Sequence, residues 1–288
     1  MSIFINGDTK FIVQGITGKT GLFHTSKMIE SGTQIVGGVS PETGGEWVLN
    51  GKIPVFDTVA SAVDATGAAG TILFVPPINA YDAIMEAIYS QLALIICVTE
   101  GIPIKEMLCL KHILGNTSIK LLGPGTPGIL SPNHLCIGVI PEELNVRGNV
   151  GVVSRSGTLA YEIIFQLIKS GLGISTYVGL GSGEILGTDF VDILEQFEQD
   201  PLTEKILIIG EGGGSQEEKA ANFIAQHITK PVIGFVPGIL LSKIIKFSGD
   251  VDIKNRAGSI ENKIESLQHA GVRMARMLQE IPALIKNI

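Results

Sequence analysis

Asn149-Val150-Gly151-Val152-Val153-Ser154-Arg155-Ser156-Gly157-Thr158-Leu159-Ala160-Tyr161-Glu162 reads as a buried strand, a tight loop and the start of a helix. Val150, Val152 and Val153 are β-branched and apolar, which suits a strand covered on both faces. The loop holds hydroxyls and one glycine, so backbone N–H groups can converge on a ligand. Leu159, Ile163, Ile164 and Leu167 then recur at near-helical spacing. The free N–H groups and positive dipole end of that helix make its start a candidate anion site.

On the N-terminal side the chain alternates strands with helices. Strands are read at Lys10–Gln14, Thr33–Val39, Thr71–Val75, Leu92–Thr99 and Ile119–Leu122, with a short extended stretch at Ile53–Phe56. Helices follow Gly21, span about 59–66 and 81–90, and run from about Ile104 to Leu114. Residues 129–148 lack a helical period and read as a connector. On the C-terminal side the alternation resumes, with strands at Ile174–Leu180, Ile206–Ile209 and Pro231–Val236. Thr188 is placed as the N-cap of a helix running to Phe197, and Ser215 with Glu218 as a capping box for the next one. This spacing means parallel βαβ units, hence an α/β fold in two domains: 1–128, the connector 129–148, and 149–288. Glycines cluster at the strand ends, where open α/β sheets bind ligands.

The 288 residues are 45% hydrophobic and 17% charged, ample for two cores. A net charge of −7 leaves no basic footprint for nucleic acid, so an anionic ligand has to be held by local donors. Cys97, Cys109 and Cys136 show no C-x-x-C pairing and read as small buried hydrophobes in a reducing compartment, with no metal site. No apolar run reaches membrane-spanning length, and Met1-Ser2-Ile3-Phe4 resembles neither a signal nor a transit peptide. The expectation is a cytoplasmic protein, or one of the mitochondrial matrix if a transit segment has been removed.

Gly15-Ile16-Thr17-Gly18-Lys19-Thr20-Gly21 excludes one familiar reading and weakens another. A Walker A loop ending Gly18-Lys19-Thr20 would need glycine where Val13 stands. A dinucleotide fingerprint needs G-x-G-x-x-G and an acid closing the next strand; here the spacing is G-x-x-G-x-x-G and that strand ends Gly37-Gly38-Val39-Ser40. Two readings stay open: a glycine turn that meets a phosphate-bearing ligand at a helix N-terminus, or a tight strand-to-helix turn with no ligand.

Taken together, this loop, Val36-Gly37-Gly38-Val39-Ser40-Pro41, Val98-Thr99-Glu100-Gly101-Ile102-Pro103, Val152-Val153-Ser154-Arg155-Ser156-Gly157-Thr158-Leu159 and Gly210-Glu211 resemble, in order and spacing, the α subunit of succinyl-CoA synthetase (succinate–CoA ligase). The resemblance covers about residues 1–236 and resumes at Ala270-Gly271-Val272. It implies a Rossmann-like CoA-binding domain followed by a flavodoxin-like ligase domain. It further implies Thr17, Gly18, Lys19 and Thr20 at the phosphates of coenzyme A, with Val98, Thr99 and Glu100 lining the same ligand. Thr43 stands where the family has a CoA-binding lysine, and Glu42 adds a negative charge, which is expected to lower CoA affinity. Gly125 replaces an asparagine of the family turn. Ser156, Gly157 and Thr158 match the helix N-terminus that receives phosphate, and Tyr161 a residue near the small-molecule acid. The implied partner is a β-type subunit, in a heterodimer or heterotetramer, which carries the nucleotide and magnesium.

One departure matters most. The family passes a phosphoryl group through a histidine, and the corresponding segment here is Ile244-Ile245-Lys246-Phe247-Ser248-Gly249-Asp250-Val251. It has no histidine, and Ser248 lies nearest the vacated place. A phosphoserine ester is too stable to hand its phosphate on, whereas a phosphoramidate on imidazole transfers readily. Asp250 can form a transferable acyl phosphate, but only proximity favours it. His24, His112, His134, His227 and His269 read as ordinary packing or surface residues. Glu211 matches the acid that orients the histidine. The expectation is an α-type subunit with an impaired phosphohistidine relay, a possible pseudoenzyme of the tricarboxylic acid cycle chemistry. The alternatives are an active acid–CoA ligase subunit using another acceptor, and a nucleotide-dependent oxidoreductase.

Overall fold

The computed structural model describes residues 3–4, 7–238 and 259–288. These fall into two compact units, one from Met1–Asn145 with Gly179–Thr188, the other from Val146–Val178 with Asp189–Ile288.

The first unit is a sheet with crossover helices. Its strands are β1 (Phe11–Gln14), β2 (Ile35–Val39), β3 (Trp47–Val48), β4 (Ile53–Phe56), β5 (Gly70–Leu73), β6 (Leu94–Cys97) and β7 (Lys120–Leu122). Its helices are α1 (Lys19–Glu30), α2 (Val59–Thr66), α3 (Pro77–Tyr89) and α4 (Ile104–Leu114). The sheet order is β3-β4-β2-β1-β5-β6-β7. Without β3, which pairs antiparallel at the edge, this is the 3-2-1-4-5-6 order of a Rossmann fold. The strands β1, β5 and β6 are buried at every position, as parallel strands covered on both faces must be. In α3, Ala80, Ala83, Ile84, Ala87 and Ile88 form one buried stripe at helical spacing. Each isoleucine buried there contributes roughly 1.5–3 kcal/mol. This helix begins at Pro77, four residues before the start read from Tyr81, because proline fits the first helical position, where no N–H is needed.

Residues 129–148, read as a connector, contain much regular structure. Strands β8 (Gly128–Ser131) and β9 (Leu135–Gly138) form an antiparallel hairpin turned by Asn133 at φ +64° and His134. Every residue of both strands is buried, so neither shows the polar alternation that marks a hairpin in sequence. Cys97 and Cys136 are buried, and burial pushes their thiols up to about 12 and about 11. Cys109 departs from expectation: it lies on the outer face of α4 and is exposed.

The second unit comprises β10 (Arg147–Ser154), α5 (Gly157–Lys169), β11 (Ile174–Gly179), α6 (Phe190–Gln199), β12 (Lys205–Ile209), α7 (Gln216–His227), β13 (Val232–Phe235), α8 (Ile260–His269), β14 (Arg273–Met274) and α9 (Ile281–Lys286). Its strands run β11-β10-β12-β13-β14, the 2-1-3-4-5 order of flavodoxin-like sheets. Two caps differ from the sequence reading. Thr188 is buried and its hydroxyl donates to the Leu121 carbonyl, so it cannot cap α6. Asp189 does so instead: its Oδ1 accepts from the N–H groups of Val191 and Asp192, and the Asp192 carboxylate accepts from the Asp189 N–H. Ser215 occupies the N-cap of α7 without a side-chain cap bond, and no capping box with Glu218 forms.

Candidate functional site

In each unit, candidate residues collect where the strand order reverses, beyond the carboxyl ends of the strands on either side.

In the first unit that point lies between β1 and β5. A cavity of about 600 Å³ opens there, lined by Gln14, Gly15, Thr17 and Gly18 from the first loop, Val39, Ser40 and Pro41 after β2, and Phe74 to Pro76 after β5. Asn79, Asp82, Ala83 and Glu86 of α3 close it. The glycine loop is sterically compelled. A Cβ on Gly21 would overlap the carbonyl oxygen of Gly15, and one on Gly38 would overlap the Ile16 side chain. Backbone therefore lies where side chains would otherwise fill, and Gly18 serves as N-cap of α1 with no side-chain cap bond. The N–H groups at the start of α1 remain for an anion. Thr17 shares a 2.8 Å hydroxyl hydrogen bond with Ser40. Lys19 and Thr20 sit exposed in the first turn of α1. Thr43 donates its hydroxyl to the Ser40 carbonyl at 2.9 Å and brings no charge. Val98, Thr99 and Glu100, one strand further out, are not among the cavity-lining residues; Thr99 reaches it indirectly, donating to the carbonyl of Val75 at 2.7 Å. Of the two cavity carboxylates, Glu86 is already committed, accepting the first N–H of α2 from Val59 at 2.8 Å. Behind the wall, the Phe74 ring stacks on the His24 imidazole, and burial lowers the pKa of that histidine.

In the second unit the reversal lies between β10 and β12. Ser154 closes β10 and its hydroxyl donates to the Ser156 carbonyl at 2.8 Å, tightening the turn. Ser156 caps α5, Gly157 and Thr158 form its first turn, and Thr158 is exposed. Tyr161, one turn on, packs edge-to-face on the fully buried Tyr177. Arg155 is buried: its Nη1 donates to the Gly213 carbonyl at 3.3 Å, and its Nη2 lies 3.6 Å from Glu211 Oε2. Glu211 is thus brought beside the Ser156–Thr158 loop by an arginine that the sequence reading quoted but gave no role. The deeper residues Glu217 and Lys263 were missed; a lysine in an otherwise amphipathic α8 carries no sequence mark of burial. Ser248 lies outside the described residues.

Family models match both units: "CoA binding domain" over residues 6–101 and "CoA-ligase" over residues 153–244. The chain is 43% identical over 290 residues to the succinate–CoA ligase [ADP-forming] subunit alpha 2 of Archaeoglobus fulgidus, covering 100% of both chains. It is 46% identical over 275 residues to the α subunit of Aquifex aeolicus, covering 94% of this chain and 89% of that one. The chain belongs to the succinate–CoA ligase α-subunit family.

A solved ATP citrate lyase from Methanothrix soehngenii, in complex with citrate and coenzyme A, superposes on 99% of this α-type chain with a TM-score of 0.84 at 20% identity. The α-type chain spans about half of that chain's length (51%), and the likeness bears on fold alone. An acetyl-coenzyme A synthetase 1 from Ca. Korarchaeum cryptofilum gives a TM-score of 0.74 at 20% identity over 95% of this chain and 59% of that one. The α-type chain therefore has the Rossmann-like CoA-binding domain and the ligase domain of its family, and the oxidoreductase reading finds no support. Among the described residues no helix is long and apolar enough to cross a membrane. Nor does any group of three or more His, Cys, Asp or Glu among them have the arrangement to hold a metal ion.

Proposed function

We propose that this chain is the CoA-binding subunit of an acid–CoA ligase, paired with a β-type subunit that holds the nucleotide and magnesium, and that its own phosphoryl relay is impaired. The observation that carries the reading is a near-full-length family match whose segment 244–251 contains no histidine.

Coenzyme A supplies the acceptor thiol when bound. The first unit fits its phosphate-bearing end: the Gly15–Gly21 loop leaves room for phosphate against backbone, the start of α1 offers N–H groups, and Lys19 supplies the nearby positive charge. Val98, Thr99 and Glu100 would meet the ligand on its β6 side. Thr43 contributes only a hydroxyl already used by Ser40, and Glu42 and Asp82 add negative charge, so the hold is weaker than a lysine there would give.

In the second unit, Ser156, Gly157 and Thr158 would bind the phosphoryl group through the α5 N-terminus, with Tyr161 toward the small acid. Glu211, held near Arg155, would orient a nucleophile that the chain lacks; Ser248, nearest its place, forms an ester too stable to return phosphate. A reaction limited to acyl phosphate and coenzyme A needs no such relay. The cytoplasmic location and the heteromeric assembly belong to the same reading.

The test is phosphorylation by γ-labelled ATP or GTP in the presence of a β-type partner. A variant carrying Gly-His-Ala-Gly in place of residues 247–250 serves as the control. The expected outcome is acid-labile label on the graft only. Acid-labile label on the natural chain would mean that another residue has taken the histidine's task, and the impaired relay would be abandoned.

A further inference from the structure

Beneath the Gly210–Gly214 turn of the second unit lies a buried cluster of charge. Lys263 of α8 is fully buried, and its Nζ pairs with Oε2 of Glu217, which is itself fully buried in the first turn of α7. The same Nζ lies 3.4 Å from Glu218 Oε2. The other oxygen of Glu217 faces the opposite way: Oε1 accepts the Glu211 N–H at 2.9 Å and stands 3.8 Å from Arg155 Nη1. Glu217 therefore touches the turn carrying Glu211, the arginine beside the α5 cap, and the lysine behind both.

Packing does not account for this. Buried ion pairs are often replaceable by apolar pairs of similar volume without loss of stability, because each buried ion forfeits its hydration. What an apolar pair cannot do is hold a backbone N–H and balance a neighbouring arginine. Lys263 neutralises Glu217, so the remaining pair at the loop is Arg155 and Glu211, with Glu211 half exposed and Arg155 not drawn inward. Without Lys263, a bare buried carboxylate would stand 3.8 Å from the guanidinium, its nearest cation among the described residues. Closing that gap would spend Arg155 on Glu217.

We infer that Lys263 is a positioning residue for anion binding at the Ser156–Thr158 loop, acting through Glu217 on Arg155 and on the Glu211 turn. The inference rests on the reading of that loop as the phosphate site. It predicts a coupling that simple structural support does not produce: loss of Lys263 weakens phosphate binding, and removing the charge of Glu217 as well restores it.

The experiment is a titration of the full chain with inorganic phosphate, followed by the amide resonances of Ser156, Gly157 and Thr158, in the natural chain, Lys263→Met and Lys263→Met/Glu217→Gln. A saturable response is expected in the natural chain, a dissociation constant about tenfold weaker in Lys263→Met, and recovery to within about threefold in the double variant. If Lys263→Met does not fold, Lys263→Gln, which keeps a donor to Glu217 but not the charge, takes its place in the same comparison. Unchanged affinity in folded Lys263→Met, or a folded double variant that still binds weakly, overturns the inference while leaving the phosphate site standing. Absence of any response in the natural chain overturns both.

Discussion

Tyr177 shows how much a single group can hide from its sequence. It lies inside β11 among residues that are all buried, and its hydroxyl has no hydrogen-bond partner among the described residues. Burial drives its pKa well above the ordinary tyrosine value, with the neighbouring Tyr161 adding to the shift. Tyr177→Phe removes that stranded hydroxyl and keeps the ring, so it is expected to stabilise the fold by about 1 kcal/mol. For a chain of this size thermal unfolding should shift upward by about 2–3 °C. His24 makes a different prediction. Burial lowers its pKa below the ordinary 6.5, so the unfolded chain binds the proton more readily. Its contribution is complete above that pH, falls as the pH drops from about 6.5 toward the lowered value, and is level below it. Urea midpoints measured across that window should fall less in His24→Gln than in the natural chain. Sequence named Tyr161 and Glu211 but not Arg155, Glu217 or Lys263 as acting groups. A lysine at i of a helical pattern looks solvated, and only tertiary placement buries it.

Among the helices and strands, sequence and structure agree where local chemistry is strong. The helix over Ile104–Leu114 has the limits read from sequence, and Gly67 closes α2 in the left-handed conformation that glycine adopts readily. Sequence alone misplaces the cap of α6 by one residue, because Thr188 and Asp189 are both good caps and the choice is made by the Leu121 carbonyl, far away in sequence. Asp189→Ala removes the acceptor for the N–H groups of Val191 and Asp192, and should cost about 1–2 kcal/mol of stability by chemical denaturation. Thr188→Val, which loses a different bond, should leave the start of α6 intact by amide exchange at those two positions. The β8–β9 hairpin escaped for the opposite reason. Its strands are short and buried throughout, so no period singles them out, although Pro132 and Asn133 between them are turn residues.

For the whole molecule, alternation of strands and helices gave parallel sheets, but not strand order; nothing in β1 or β10 alone says which neighbour lies on each side. The resemblance to a family implied a Rossmann-like and a flavodoxin-like domain; the orders 3-2-1-4-5-6 and 2-1-3-4-5 are seen in the structure, and with them the two places where ligands are expected. The acidic rim of the first cavity makes a prediction of its own. Thr43→Lys places a cation beside Ser40, at the edge of the cavity, where the chain now has a spent hydroxyl. Coenzyme A should bind about threefold to tenfold more tightly by calorimetry at low salt, and the gain should shrink toward physiological ionic strength and beyond.

The first unit is not finished when its own stretch of chain ends at Asn145; it waits for Gly179–Thr188. Those ten residues supply the Gly179 carbonyl that accepts the Thr126 hydroxyl, the Leu180 carbonyl that accepts the Gly123 N–H, and the Leu186 carbonyl that accepts the Lys111 ammonium. On the ribosome, then, the amino-terminal half emerges with those donors unanswered and can close only after the intervening strand–helix–strand has been made. A fragment ending at residue 145 should be proteolysed more readily than one ending at residue 188, and supplying the 179–188 peptide in trans is expected to protect the shorter fragment.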